Sequence, residues 1–166
     1  SVLDLDDEEL PRRAQKILLE AAPADRWTFE VTETAPIADV APALSILTRL
    51  RIAGFKLSVD DFGTGTSNYE RLLVAPFTEL KIDRAMVSRL DINADEPDPM
   101  VRSGIDVGHS LQLQVVAEGV ESVDQFRMVR DLGCDAAQGY LISPPVAPVQ
   151  LDMALDDWRR KFEYLS

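Results

Sequence analysis

Four apolar, β-branched runs in this chain end in carboxylates. They are Phe29-Glu30-Val31-Thr32-Glu33, Leu57-Ser58-Val59-Asp60-Asp61-Phe62-Gly63, Glu79-Leu80-Lys81-Ile82-Asp83 and Val115-Val116-Ala117-Glu118-Gly119-Val120-Glu121. A helix-like stretch follows each one. Parallel strands separated by helices place their C-terminal ends on one face, where α/β proteins bind ligands. Acids from four strands would converge there. Like charges raise one another's pKa, and a divalent cation with oxygen ligands removes that cost. The first chemistry this pattern suggests is metal binding.

The four runs differ in detail. Asp60-Asp61 closes an apolar strand and runs into Phe62-Gly63-Thr64-Gly65-Thr66. Adjacent side chains on a strand normally point to opposite faces. The pleat relaxes at a strand end, so both carboxylates can reach one site. Gly63 and Gly65 permit positive φ and close approach of the backbone to a ligand; the plain alternative is an acidic turn capping the next helix. Glu30 inside an apolar run must face a polar interior, a partner or solvent, and Glu33 stands at the loop. Lys81 and Asp83 share a strand face, which fits either a structural ion pair or a lysine that steadies developing negative charge. Gln138 beside Gly139 supplies a neutral donor and acceptor. His109, near a helix end, reads as a C-terminal cap or packing residue, and Cys134 as a small core hydrophobe. Trp27, Phe29, Phe55 and Phe62 read as packing residues, and Trp158 to Lys161 as a solvated helix end.

The elements that must carry these residues are legible from periodicity and punctuation. Helices are expected over 7–22, with Leu10, Ala14, Ile17 and Leu18 as the buried stripe, and over 39–53, with Val40, Leu44, Leu47 and Leu50. Further helices are expected over 68–73, 85–90, 99–111, 122–132 and 151–164. Gly54 and Gly133 stop two of them, and Ser122 with Gln125 forms a capping-box pattern. Strands are expected over 27–32, 55–60, 80–82 and 113–117, and within 134–141. About five strands alternating with helices is the rhythm of a parallel sheet. A closed (β/α)8 barrel needs eight strands and about 250 residues. The expected fold is therefore α/β, either an open sheet or an incomplete TIM-like barrel.

Bulk properties narrow the class. The chain has 166 residues, 46% hydrophobic and 28% charged, enough for one globular domain with a core. No stretch reaches the roughly 18 apolar residues of a membrane span. The first residues carry no basic segment, so a secretory signal is not expected. One cysteine cannot form an internal disulfide, which points to a reducing cytoplasm. A net charge of −12 disfavours nucleic-acid polymers and anionic membranes.

The motifs together resemble the C-terminal two thirds of an EAL domain, the cyclic di-GMP phosphodiesterase family, from residue 1 to about residue 148. Phe29 to Thr34 is similar to the family's LEITES segment, Asp60 to Gly65 to its DDFGTG loop and Leu80 to Arg84 to LKIDR. Val116 to Glu121 is similar to VAEGVE, and Gly133 to Tyr140 to GCDxxQGY. The resemblance implies a (β/α)8-like barrel that hydrolyses cyclic di-GMP to linear pGpG, a phosphoric diester hydrolase assisted by Mg²⁺ or Mn²⁺. It assigns Glu30, Asp60, Asp61 and Glu118 to the metals and Lys81 to orienting the attacking water. It assigns Glu33 to holding the loop of Gly63, Thr64 and Gly65, and Glu121 and Gln138 to further active-site positions.

Two family elements are missing from these residues: the Glu-x-Leu motif, which supplies a metal ligand, and the Asn of the VNxS strand. Ser1 aligns with the Ser of VNxS. The expectation is a truncated domain lacking its first strands, with weak or no hydrolysis, and with a homo-oligomer or partner chain covering the open barrel. A non-catalytic cyclic di-GMP receptor or protein-interaction module is the alternative. Enolase-type proton abstraction uses a similar set of Lys and acids, but paired aspartates and a Gly-rich loop suit a phosphate ligand better.

Overall fold

The computed structural model describes residues 7–32, 40–63, 69–91 and 97–163. Its elements run α1 (Leu10–Leu18), β1 (Thr28–Thr32), α2 (Val40–Ile52), β2 (Lys56–Phe62), α3 (Tyr69–Val74) and β3 (Glu79–Ile82). They continue with α4 (Arg84–Val87), α5 (Pro99–Ser110), β4 (Gln114–Ala117), α6 (Val123–Asp131), β5 (Ala136–Ala137) and α7 (Leu151–Phe162). All strand pairs are parallel, and the sheet order is β1-β2-β3-β4-β5. A doubly wound sheet reverses its order at a switch point. Here every strand lies beside its predecessor, as in a barrel. The α/β, incomplete-barrel expectation holds.

Strand alternation sorts the side chains into two faces. Leu57, Val59, Leu80, Ile82, Val115 and Ala117 turn towards the helices and are buried. Two apolar clusters result. One joins Val59, Leu80, Ile82 and Val115 to Val87 of α4, Val101 and Ile105 of α5 and Val129 of α6. The other joins Leu57 and Val31 to Ala14 of α1 and Ala43, Ile46, Leu47 and Leu50 of α2. Truncating a fully buried member such as Ile82 to Ala would cost about 2–5 kcal/mol. Helix α5 lies close on the sheet because Gly104 and Gly108 face it. A Cβ on Gly108 would fall 2.5 Å from Val115 Cγ2.

The buried stripes differ from expectation at a few places. Ile17 is 66% exposed; the covered side of α1 is centred between Pro11 and Ala14, and Ile17 stands at its flank. Trp158 is not part of a solvated helix end. It packs on Phe126 of α6 and on Phe162 one turn on, with ring centroids 6.3 and 5.5 Å apart, while Arg159, Arg160 and Lys161 are exposed. His109 faces the loop before β5: its Nε2 lies 3.2 Å from Asp135 Oδ2, which also accepts the Val115 N–H at 2.7 Å. Cys134 packs against the larger cluster, and burial, with the nearby Asp135 charge, pushes its thiol up to about 12. The Ser122–Gln125 capping box forms as expected. Among the described residues no helix is long and apolar enough to cross a membrane.

Gln112 turns the chain from α5 into β4 at φ +59. The Gln112 N–H donates to His109 O and the Leu113 N–H to Gly108 O, both at 2.9 Å. This left-handed position suits glycine, and a residue with a Cβ is strained there by about 1–2 kcal/mol. Gln112→Gly is expected to raise stability in urea unfolding by about 0.5–1 kcal/mol, the strain relief exceeding the added freedom of the unfolded chain. A loss of stability would contradict this account of the turn.

Candidate functional site

The face opposite the helices carries the polar residues. On β2, Ser58 and Asp60 alternate with the core residues Leu57 and Val59; Glu30 of β1 lies opposite Ser58 in the register. On β3, Lys81 alternates with Leu80 and Ile82 and lies opposite Val116 of β4, two residues before Glu118. Lys81 is only 5% exposed. An ammonium has three N–H donors, and each finds a carboxylate here. Lys81 Nζ lies 2.8 Å from Glu30 Oε1, 3.0 Å from Asp60 Oδ1 and 2.6 Å from Glu118 Oε1. One cation thus ties together acids from β1, from β2 and from the end of β4.

The charges do not balance. Burial works against the Lys81 ammonium, but its bonds to Glu118, Glu30 and Asp60 outweigh burial and raise its pKa. Glu118 is raised as well: burial leads, Lys81 pulls the other way, and the charges of Asp60 and Glu30 push up again. Partners in a simple ion pair would shift in opposite directions. Glu118 rises here first because it is buried, and then because Asp60 and Glu30 share the one ammonium with it.

Asp61 reaches the same place by a break in the ladder. Val59 is paired with Leu80 and Phe62 with Ile82, so three steps along β2 match two along β3. One extra residue is a β-bulge. Asp61 sits within it at φ +59, a conformation that Asp tolerates better than most residues. The bulge cancels the alternation, and two sequence neighbours serve one site. One carboxylate oxygen each from Asp60, Asp61 and Glu118 lie within 4.8 Å of one another. Burial, then the charges of Asp60 and Asp83, raises the Asp61 pKa. Gly63 follows at φ +94, where a Cβ would fall 2.1 Å from Met86 Sδ. Its missing side chain makes room for Met86.

The structure therefore gathers Glu30, Asp60, Asp61, Lys81 and Glu118. Asp83 does not join Lys81; it caps α4, its Oδ1 accepting the Ala85 N–H at 2.7 Å, because the chain leaves the strand at that residue. Glu121 stands further out, paired with Arg84 at 2.8 Å. Gln138 contributes its backbone, accepting from Val120 N–H and donating to Ala117 O, with its side chain at the surface. Glu33, Thr64 and Gly65 lie outside the described residues. Two residues escape a sequence reading. Ser58 is fully buried one rung below Asp60, and its Oγ has no hydrogen-bond partner among the described residues; its place two residues before Asp60 was the available signal. For Arg84 the signal was its place at the end of the Leu80 to Arg84 motif, which assigns it no role.

The family model for the EAL domain matches residues 1–145. The chain is 39% identical over 124 residues to the cyclic di-GMP phosphodiesterase RocR of Pseudomonas aeruginosa, covering 75% of this chain and 31% of that protein. The structure superposes on PaMucR phosphodiesterase in its c-di-GMP complex with a TM-score of 0.81 at 35% identity, over 91% of this chain and 67% of that one. For the manganese and cy-diGMP complex of Klebsiella pneumoniae BlrP1 the TM-score is 0.70 at 31% identity, over 82% and 34%. The chain spans less than a third of the length of the curated relatives it matches.

The Lys81 arrangement makes a test that needs no ligand. Lys81→Met leaves the facing carboxylates without their cation and is expected to cost about 1–3 kcal/mol at neutral pH, the partners being partly solvated. The raised pKa of Lys81 keeps its own contribution intact below the ordinary lysine range. The deficit of the variant should therefore shrink as acid protonates the carboxylates. Thermal melts of both proteins from neutral pH into the carboxylate range check this; a deficit independent of pH would show that only packing was lost.

Proposed function

The chain belongs to the EAL domain family, and from that membership and its Lys81-centred cluster we propose that it is a metal-assisted phosphodiesterase module acting on cyclic di-GMP to give linear pGpG. The observation that carries the proposal is the convergence of Asp60, Asp61 and Glu118 beside Lys81. These hard oxygen donors fit Mg²⁺ or Mn²⁺, and Glu30 stands beside them on the same ammonium. When bound, such cations lower the pKa of a coordinated water and offset charge on the phosphodiester.

The chain's own residues have distinct parts. Asp60, Asp61, Glu118 and Glu30 would hold the cations. Lys81 spaces the carboxylates through its three N–H donors; with cations on those carboxylates, a Lys81 N–H would be released to orient the attacking water. The water oxygen bonds to phosphorus, a ribose oxygen leaves and takes up a proton, and the ring opens. The family resemblance assigns Gly63, Thr64 and Gly65 to the substrate side and Glu33 to holding that loop. Glu121 and Gln138 stand at the rim. Burial and neighbouring carboxylates raise the pKa of Asp61 and Glu118, so cation binding is expected to weaken in acid, where these ligands protonate.

None of the motifs that carry the family resemblance supplies the family's Glu-x-Leu carboxylate or VNxS asparagine, so these 166 residues alone are proposed to turn over slowly. The test is formation of pGpG from cyclic di-GMP with Mn²⁺, followed by chromatography. Expected is slow product formation that Glu118→Gln reduces at least about tenfold. Binding without product in the unaltered chain would convert the reading to a receptor. The absence of both binding and product would refute it.

A further inference from the structure

Glu121 lies at the outer end of the loop that joins β4 to α6, and its carboxylate is held by the first residue of α4. Arg84 Nη2 lies 2.8 Å from Glu121 Oε1. Both side chains are largely exposed, and an exposed ion pair contributes little on its own. The path of the arginine stem distinguishes this pair. Gly119 sits at φ +64, and a Cβ there would fall 2.3 Å from Arg84 Cγ, 2.6 Å from its Cβ and 2.8 Å from its Cδ. The methylenes of Arg84 thus lie directly on bare glycine backbone, which restricts where the guanidinium can go. The opposite side of the loop is closed just as tightly. A Cβ on Gly139 would fall 2.2, 2.3 and 2.7 Å from the O, N and C atoms of Val120. The Val120 N–H donates to Gln138 O and the Leu141 N–H to Val120 O, each at 3.0 Å. The Glu121 N–H donates to Gln125 Oε1 at 2.9 Å.

The loop is therefore clamped between Arg84 and the β5 loop. Glu118 at its start is bound to Lys81, and Glu121 at its end to Arg84. We propose that Arg84 is a positioning residue: packed on Gly119 and bonded to Glu121, it fixes where the Glu121 carboxylate stands relative to Asp60, Asp61 and Glu118. The catalytic consequence rests on the phosphodiesterase reading; the structural part does not. Arg84 acts through Glu121 and is not itself a ligand of the phosphate.

Two measurements test this separately. The first is hydrogen exchange at the Glu121 amide, which needs no substrate. Arg84→Ala removes the stem as well as the charge and is expected to speed exchange about fivefold, whereas Arg84→Met keeps the stem and stays within about twofold of the unaltered chain. Equal exchange in all three proteins would overturn the clamp. The second is a double-mutant cycle in kcat/KM for cyclic di-GMP with Mn²⁺. Arg84→Met and Glu121→Ala are each expected to lose about tenfold, and the double variant no more than Glu121→Ala alone. Arg84→Lys should recover part of the loss. Losses that multiply would overturn the proposal and mark Arg84 as a direct phosphate ligand. An unaltered chain that neither binds nor hydrolyses cyclic di-GMP sinks the phosphodiesterase reading, and the exchange measurement still decides the clamp.

Discussion

A buried ammonium cannot stand alone, and neither can several carboxylates brought to one end of a sheet. Lys81 answers both demands. Its three donors meet Glu30, Asp60 and Glu118, which arrive on separate strands. The strand register fixes which residues can meet: Glu30 is level with Ser58, and Lys81 with Val116. The packing of Leu80 and Ile82 against the helices fixes which way Lys81 faces. A slip of one residue in β3 would send Lys81 into that apolar layer and Ile82 into the carboxylates. The apolar core and the polar site are thus two faces of a single register.

Burial, and then the charge of neighbouring carboxylates that Lys81 does not cancel, raises the pKa of Glu118 and Asp61. Asp61 adds a further cost. It occupies a left-handed position in a bulge, and local strain of this kind persists only where the surroundings enforce it. Here they do: Phe62, immediately after it, is anchored in the larger cluster, and Gly63 then makes room for Met86. The bulge draws two neighbouring acids into one site, and a divalent cation would offset both the repulsion and the strain.

Much of this was legible in the sequence because it follows from alternation and punctuation. The βα rhythm, the Ser122–Gln125 box and Asp60, Asp61 and Glu118 at the strand ends appear where expected. What escaped depends on contacts between distant residues or on a break in periodicity. Nothing local in Asp60-Asp61 specifies a bulge as opposed to an acidic turn. Lys81 and Asp83 share a face by spacing, yet the chain bends at Asp83 and turns its carboxylate to a helix cap. Trp158 among charged neighbours reads as a solvated end until Phe126 is brought against it. The sheet order, with each strand beside the one before it, could not be told from an open doubly wound sheet by periodicity alone.

The central claim is that the acids gathered on Lys81 form a divalent-cation site. Anomalous diffraction from crystals of this chain soaked with Mn²⁺ tests it most directly. The account predicts a manganese peak bounded by carboxylate oxygens of Asp60, Asp61 and Glu118. A map with no peak there at saturating Mn²⁺, or with manganese only at other surface acids, would contradict it.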